Sequence, residues 1–350
     1  MATINSNTTT ASTLQTNISV SINSHESEGE IVPKIFFGLF ASISIIGNLL
    51  VCCVFLRNRQ LLRLASSIFI FSLAIVDIIT GIIILATPTL LYNHIHLNVE
   101  DINGEIYCAL VRSEYFLWTC GIASCYIIVA LSIERLCMVS APTKYKVIFT
   151  PGKTVLYVFI AIIWGAILIA PNIYQYYMNE NSTDVVECQF RRLPNTELNH
   201  AIYFTAFTLR FALPLVVMVS CYIAFLRKIS QTVSGISNAV DMKTSSRNRM
   251  MLKRLTRMSI LISIAFCVCW MPNQVYFALV VQDLVEYNVT VHIVTKILVT
   301  FNSAINPIIY ASSNKYFCNE LFRIIEIIVC CQTPEKSKLF TSVDKRTRSM

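Results

Sequence analysis

The stretch that decides the fold is Asn302-Ser-Ala-Ile-Asn-Pro-Ile-Ile-Tyr310, at the end of an apolar run over 291–310. At 1.5 Å of rise per residue, a helix of about 20 residues crosses the hydrocarbon of a bilayer. Asn302, Ser303 and Asn306 interrupt this run. A polar group left unpaired in hydrocarbon costs several kcal/mol. These side chains therefore face other helices or enclosed water rather than lipid. Pro307 cannot donate the helical hydrogen bond and loosens the turn before it. Tyr310 then places a hydroxyl near one membrane face. A helix that is polar inside, kinked and hydroxyl-tipped is a moving part rather than a wall.

The rest of the chain agrees with a membrane setting. Of its 350 residues, 55% are apolar and 14% charged, and the mean hydropathy is +0.60, a multi-span composition. Seven apolar runs stand out, at 32–56, 66–92, 108–139, 155–177, 201–226, 258–281 and 291–311. They are long and continuous, which predicts helices rather than the alternating strands of a barrel. The expected architecture is an all-α membrane protein: a bundle of seven transmembrane helices with a short amphipathic eighth.

The net charge of +8 raises the question of nucleic acid. Its distribution answers it. Lys and Arg crowd 57–63, 144–153, 227–257 and the segment after Lys315, while the alternate connections are acidic or neutral. Basic loops lie on the cytoplasmic side, so the N-terminus is expected outside and the C-terminus inside, in a multi-pass plasma-membrane protein that needs no nucleic-acid partner. Residues 1–30 hold no Lys or Arg and no apolar core. No cleavable signal peptide is expected, and the first span serves as the insertion signal.

Four Asn-x-Ser/Thr sequons, at Asn7, Asn17, Asn181 and Asn288, fall on segments read as exterior and are glycosylation candidates. Of the 13 cysteines, Cys108 and Cys188 sit in or beside exterior loops, where an oxidising compartment suggests one disulfide between them. After the seventh run, Phe317, Leu321, Ile324, Ile325 and Ile328 recur at helical spacing, with Glu320, Arg323 and Glu326 opposite. This reads as a helix lying on membrane lipid. Cys330 and Cys331 at its end are palmitoylation candidates; a pair of ordinary thiols is the alternative. The resulting organisation is an exterior tail (1–31), a seven-helix region (32–313), the surface helix (314–331) and a cytoplasmic tail (332–350).

Asp77 lies mid-span in the second run and Glu134-Arg135 closes the third. Ionisable groups at membrane depth point to function. An amide would serve as structural glue without the charge. Together with Gly47-Asn48, Leu73-Ala74, Trp164, Pro214 and Tyr222, Phe266 and Cys269-Trp270-Met271-Pro272, and Asn306-Pro307-Ile-Ile-Tyr310, these residues make the chain resemble a rhodopsin-like (class A) G-protein-coupled receptor of neuropeptide-receptor type. The match runs from Pro33 to Cys331, with one motif set per run.

The resemblance implies roles residue by residue. Asp77, Ser124, Asn302, Ser303 and Asn306 match the family's sodium pocket, and all carry the oxygens a hard cation wants; sodium is thus an allosteric ligand and no other cofactor is expected. Glu134, Arg135, Tyr222, Phe266, Trp270, Pro272, Pro307 and Tyr310 match the activation switch. A heterotrimeric G protein is the implied inner partner, with receptor kinase and arrestin beside it. Two departures bear on this. Leu252 stands where some members have an acid that pairs with the arginine, so no restraint is expected from that side. Cys108 lies two residues farther from Arg135 than the family spacing, which leaves a bulge in the upper third helix or a displaced disulfide.

That offset tests the ligand. Amine receptors use a third-helix aspartate. Counting from Arg135, its position holds Leu117; counting from Cys108, it holds Tyr115. Neither is acidic, although Glu114 keeps an amine open as an alternative. The opsin lysine position holds Thr300, not Lys296. The outer halves carry Glu114, Arg210 and Lys296, with Asn273, Gln274 and Tyr276 above Trp270. An internal Glu–Arg or Glu–Lys pair is the structural alternative. The functional reading is a polar pocket for a peptide, with the 179–200 loop, including Arg191 and Arg192, as a lid. An ion transporter or channel is the alternative class, but no repeated halves are visible. No nucleophile–base set lies within a span, so no enzyme is expected.

Overall fold

The computed structural model describes residues 28–91, 103–179, 188–190, 196–235 and 242–330. Seven helices long and apolar enough to cross a membrane are present among them. We number the helices α1 (Glu28–Arg57), α2 (Ala65–Ala86), α3 (Tyr115–Ser140), α4 (Pro151–Gln175), α5 (Leu213–Gly235), α6 (Met242–Val281), α7 (Val289–Ser313) and α8 (Lys315–Cys330). The third span, Gly104–Ser140, prefixes α3 with a short turn and a π-helical segment, Tyr107–Arg112. The fifth, His200–Gln231, prefixes α5 with the helix Thr196–Phe207 and a π-helical segment, Thr208–Ala212.

The outer surface of the bundle is apolar, and its ionisable groups sit inside, within a hydrophobic core. Ile46, Ile160 and Val216 are 62%, 53% and 61% exposed, whereas Asp77, Glu134 and Arg135 are 0% exposed. In water such an apolar surface would aggregate; in lipid it is the favoured solvent contact, and the polar groups retreat inward.

Helix ends follow local chemistry. The 66–92 run predicts one long helix, but α2 stops at Ala86 and a separate turn spans Pro88–Leu91. Pro88 excludes the α conformation at Thr87, which is extended (ψ 108°). Conversely, α4 starts four residues before the apolar run at 155, because Thr150 caps it, accepting from Lys153 N, and Pro151 occupies the first turn. Tyr176–Met178 forms strand β1, paired antiparallel with β2 (Cys188–Phe190), a two-stranded addition to the all-α expectation. The disulfide Cys108–Cys188 ties this hairpin to the π-helical segment before α3. Asn288, one of the sequon asparagines, caps α7 by accepting from Val291 N. The helix α8 packs Phe317 against Phe55 and Tyr310. Asn7, Asn17, Asn181, Arg191, Arg192 and Cys331 lie outside the described residues, as does the side chain of Cys330.

The offset between Cys108 and Arg135 resolves as a bulge with the disulfide in place. The π-helical segment absorbs an extra residue, and the chain then breaks at Glu114, whose φ of 55° is left-handed. A non-glycine residue there costs about 1–2 kcal/mol. The return is position: it swings the Glu114 carboxylate into the bundle.

Candidate functional site

Three polar stations run down the bundle axis from the disulfide to Arg135. The first is a cavity of about 340 Å³ beneath the β1–β2 hairpin, which contributes Tyr176 and Phe190. Glu114, Arg210, Asn273, Gln274 and Lys296 line it, and Trp118 and Ile122 lie on its wall. Lys296 Nζ donates to Glu114 Oε1 at 2.7 Å, with the side chains 11% and 5% exposed. The internal Glu–Lys alternative is therefore the arrangement adopted. Arg210 takes no part in it: its guanidinium donates to the Leu168 carbonyl and to Asn172 Oδ1. Asn273 Nδ2 donates to Thr295 Oγ1 at 3.2 Å.

Two of the expected pocket residues lie elsewhere. Leu117 is buried among Phe37, Ala41, Ile84 and Leu90, because the break at Glu114 rotates α3 so that Glu114 and Trp118 meet the cavity instead. Tyr276 faces the α6–α7 turn, where its hydroxyl donates to the Asn288 carbonyl and accepts from Asn288 N. Arg112, Trp118, Asn172 and His292 line the cavity and were not singled out from sequence. Trp118 was legible in principle, since it lies one turn beyond Glu114.

Trp118 links the cavity to the next station. It meets Trp270 edge-on (6.0 Å, 79°), and Trp270 stacks on Phe266 (5.2 Å, 19°). The indole fits only because Gly121 has no side chain: a Cβ there would lie 2.2 Å from Trp270 Cη2.

The second station is the seam around Asp77. Pro307 cannot bond back to the carbonyl of Ser303 four residues earlier. Asn48 Nδ2 donates to that orphan carbonyl at 3.1 Å and to Ser44 O at 2.9 Å. A side chain on Gly47 would prevent this approach, its Cβ falling 2.8 Å from Pro307 Cγ. Asn306 Nδ2 donates to Asp77 Oδ2 at 2.7 Å. Ser124, Asn302 and Ser303 are buried on the neighbouring faces. The oxygens Asp77 Oδ1, Asn306 Oδ1 and Asn48 Oδ1 are buried and accept no hydrogen bond. One carboxylate with no cationic partner among the described residues, beside neutral oxygens with spare lone pairs, is a donor set that fits a hard monovalent cation. It offers no cluster of three His, Cys, Asp or Glu for a transition metal among the described residues.

The third station is Arg135, fully buried. Its Nε lies 3.4 Å from Glu134 Oε2 and donates to Ser259 Oγ at 3.2 Å. Glu134 Oε1 accepts from Ser66 Oγ (2.8 Å) and from the Tyr145 hydroxyl (2.9 Å). Tyr145 sits on the helix Pro142–Ile148, outside the spans. Burial, then the Glu134 charge, pushes its phenol well above the usual range, so it stays a donor at neutral pH. Ser259 supplies the α6 restraint that Leu252 offered no reason to expect. Both Arg135 Nη atoms are buried without a partner, a state that favours escape toward any acceptor at this end. Nearby, Tyr222 accepts from Ser132 Oγ and shares a hydrogen bond with Ser263, both at 3.1 Å. The Tyr310 hydroxyl is buried without a partner.

A seven-helix membrane bundle with a polar cavity at one end, a restrained arginine at the other and an aromatic and amide relay between them defines a membrane receptor. The model of the seven-transmembrane receptor (rhodopsin) family matches residues 47–310, and the chain belongs to that family. It is 27% identical to the allatostatin-A receptor of Bombyx mori over 87% of this chain and 81% of that receptor. It is 25% identical to the galanin receptor type 2 of Rattus norvegicus over 83% and 74%, and 27% identical to the 5-hydroxytryptamine receptor 4 of the same species over 90% and 80%. The chain is thus a ligand-operated receptor that works with a G protein, in a family of receptors and not of enzymes.

Proposed function

We propose that this receptor sits in the plasma membrane with its disulfide end outside and is operated by an extracellular neuropeptide. The single observation that supports a peptide over an amine is the Glu114–Lys296 pair. The only cavity carboxylate among the described lining residues is already neutralised by a tethered ammonium at 2.7 Å. A free amine would have to displace it against that tether's high effective concentration. A peptide instead offers a backbone for Asn273 and Gln274. The relatives named for allatostatin-A and galanin fit this reading; the one named for 5-hydroxytryptamine keeps the amine as the second reading.

In the proposed cycle, ligand contact with Trp118 and Lys296 biases two pre-existing arrangements. Trp270 shifts, α6 swings about Pro272, Arg135 leaves Glu134 and Ser259, and a heterotrimeric G protein docks at the opened face. Tyr222 and Tyr310 receive the released arginine. Sodium at Asp77, Ser124, Asn302, Ser303 and Asn306 would favour the resting arrangement. Receptor kinase and arrestin would then act on the inner face, with α8 resting on lipid and anchored through Cys330 and Cys331.

The test is a panel of neuropeptides and amines applied to cells expressing the full chain with a promiscuous G protein, read as calcium release. A peptide response weakened by Lys296→Ala is expected. An amine response abolished by Glu114→Gln would overturn the ligand reading.

A further inference from the structure

We propose that the cleft between α4 and the fifth span is a second binding site, entered from the lipid, for a single-chain amphiphile with a carboxylate head held by Arg210. The cleft is a cavity of about 310 Å³, separate from the cavity beneath the hairpin, and the two share Asn172, Gln175 and Arg210 as a polar partition. On the lipid side its walls are apolar, with Ile167, Pro171 and Ile202 among them. Gln175 Nε2 donates to the Tyr203 hydroxyl at 2.7 Å and closes the upper edge.

The charge is the argument. Arg210 is a cation within a membrane span whose acceptors among the described residues are neutral, the Leu168 carbonyl and Asn172 Oδ1. No carboxylate meets it among the described residues. A half-buried guanidinium within a span and without a counter-anion is unfavourable, and an anion that binds the fork in two places relieves that cost. Size selects the anion. Arg210 lies ten residues into the fifth span, which begins at His200. A phospholipid phosphate would bring a glycerol and two acyl chains to a cleft of about 310 Å³. A fatty carboxylate can enter sideways, its chain remaining among the lipid tails.

Such a ligand would touch the relay. Arg210 belongs to the π-helical segment Thr208–Ala212, a deformable turn. Pro214 leaves the Arg210 carbonyl without its helical donor, and the Cys125 thiol of α3 lies 3.9 Å from it. The Tyr126 hydroxyl of α3 donates to the adjoining Leu209 carbonyl at 2.8 Å. An anion pulling on Arg210 therefore acts on the seam between α3 and the fifth span.

The test uses the full chain in phosphatidylcholine nanodiscs with a diazirine-bearing palmitate, cross-linked by light and mapped by mass spectrometry; no peptide agonist is needed, so failure of the peptide reading does not affect it. Saturable labelling of α4 and fifth-span peptides is expected, displaced by oleate but not by oleyl alcohol. Arg210→Gln should lower labelling about tenfold, equivalent to ~1.4 kcal/mol. Ala206→Phe, which fills the cleft from a residue lining only that cavity, should lower it without removing the charge. Should Arg210→Gln not fold, Ala206→Phe and the oleate–alcohol pair still decide. Labelling confined to other helices, equal displacement by the alcohol, undiminished labelling in Ala206→Phe, or displacement by phosphatidic acid but not oleate would each overturn the proposal.

Discussion

Replacing Ser259 by alanine removes the hydrogen bond by which α6 holds Arg135. That bond is 3.2 Å long and its Nε donor is shared with Glu134 Oε2 at 3.4 Å. Hydrogen bonds to charged groups contribute about 1.5–3 kcal/mol; the long, shared geometry places this one near the lower end. In the proposed cycle Arg135 leaves Ser259 on signalling, so the loss falls on the resting state alone. At about 1.4 kcal/mol per factor of ten, the resting preference falls about tenfold. A receptor with about 1% of molecules active without ligand would then have about 10%. The assay is ligand-free nucleotide exchange on a purified G protein, normalised to receptor amount. Ser259→Thr keeps the hydroxyl and should stay near the wild-type level. Unchanged basal exchange in Ser259→Ala, or an equal rise in Ser259→Thr, would refute the reasoning.

Three further outcomes are expected. Lys296→Ala or Glu114→Ala alone leaves a buried unpaired charge and should lower the thermal midpoint sharply, about 3–5 kcal/mol for each single change; the double variant should recover much of it, and purely additive losses would mean that the 2.7 Å pair does not couple α3 to α7. Gly121→Ala forces a methyl to 2.2 Å from the Trp270 ring and should cost about 1–3 kcal/mol of stability or displace the indole, which tryptophan fluorescence would detect; a silent variant would disprove the tight contact. Asp77→Asn removes the only charge in the seam among the described residues and should abolish any dependence of agonist affinity on sodium, measured by radioligand binding in sodium against a large organic cation. Retained sodium sensitivity would move the cation elsewhere.

What the sequence determined by itself is the set of spans and which residues hide inside them. Lipid penalises an unpaired polar group wherever the partner lies, so Asp77, Asn306 and Arg135 had to point inward before any partner was known. Proline and capping residues also act locally: Pro307 announced an orphan carbonyl, and Thr150-Pro151 opened α4. What only the tertiary structure decided is who meets whom. Asn48 reaches the carbonyl that Pro307 frees, and Lys296 meets Glu114 across a separation of 182 residues; neither pairing has a local signature. The register of α3 escaped for a sharper reason. Each residue of offset in a helix turns the side chains by about 100°, so the π-helical segment and the left-handed Glu114 aim Glu114 and Trp118 at the cavity and bury Leu117 away from it. Counting along the chain assumes an unbroken helix, and the break is stabilised by contacts that exist only once the bundle has closed.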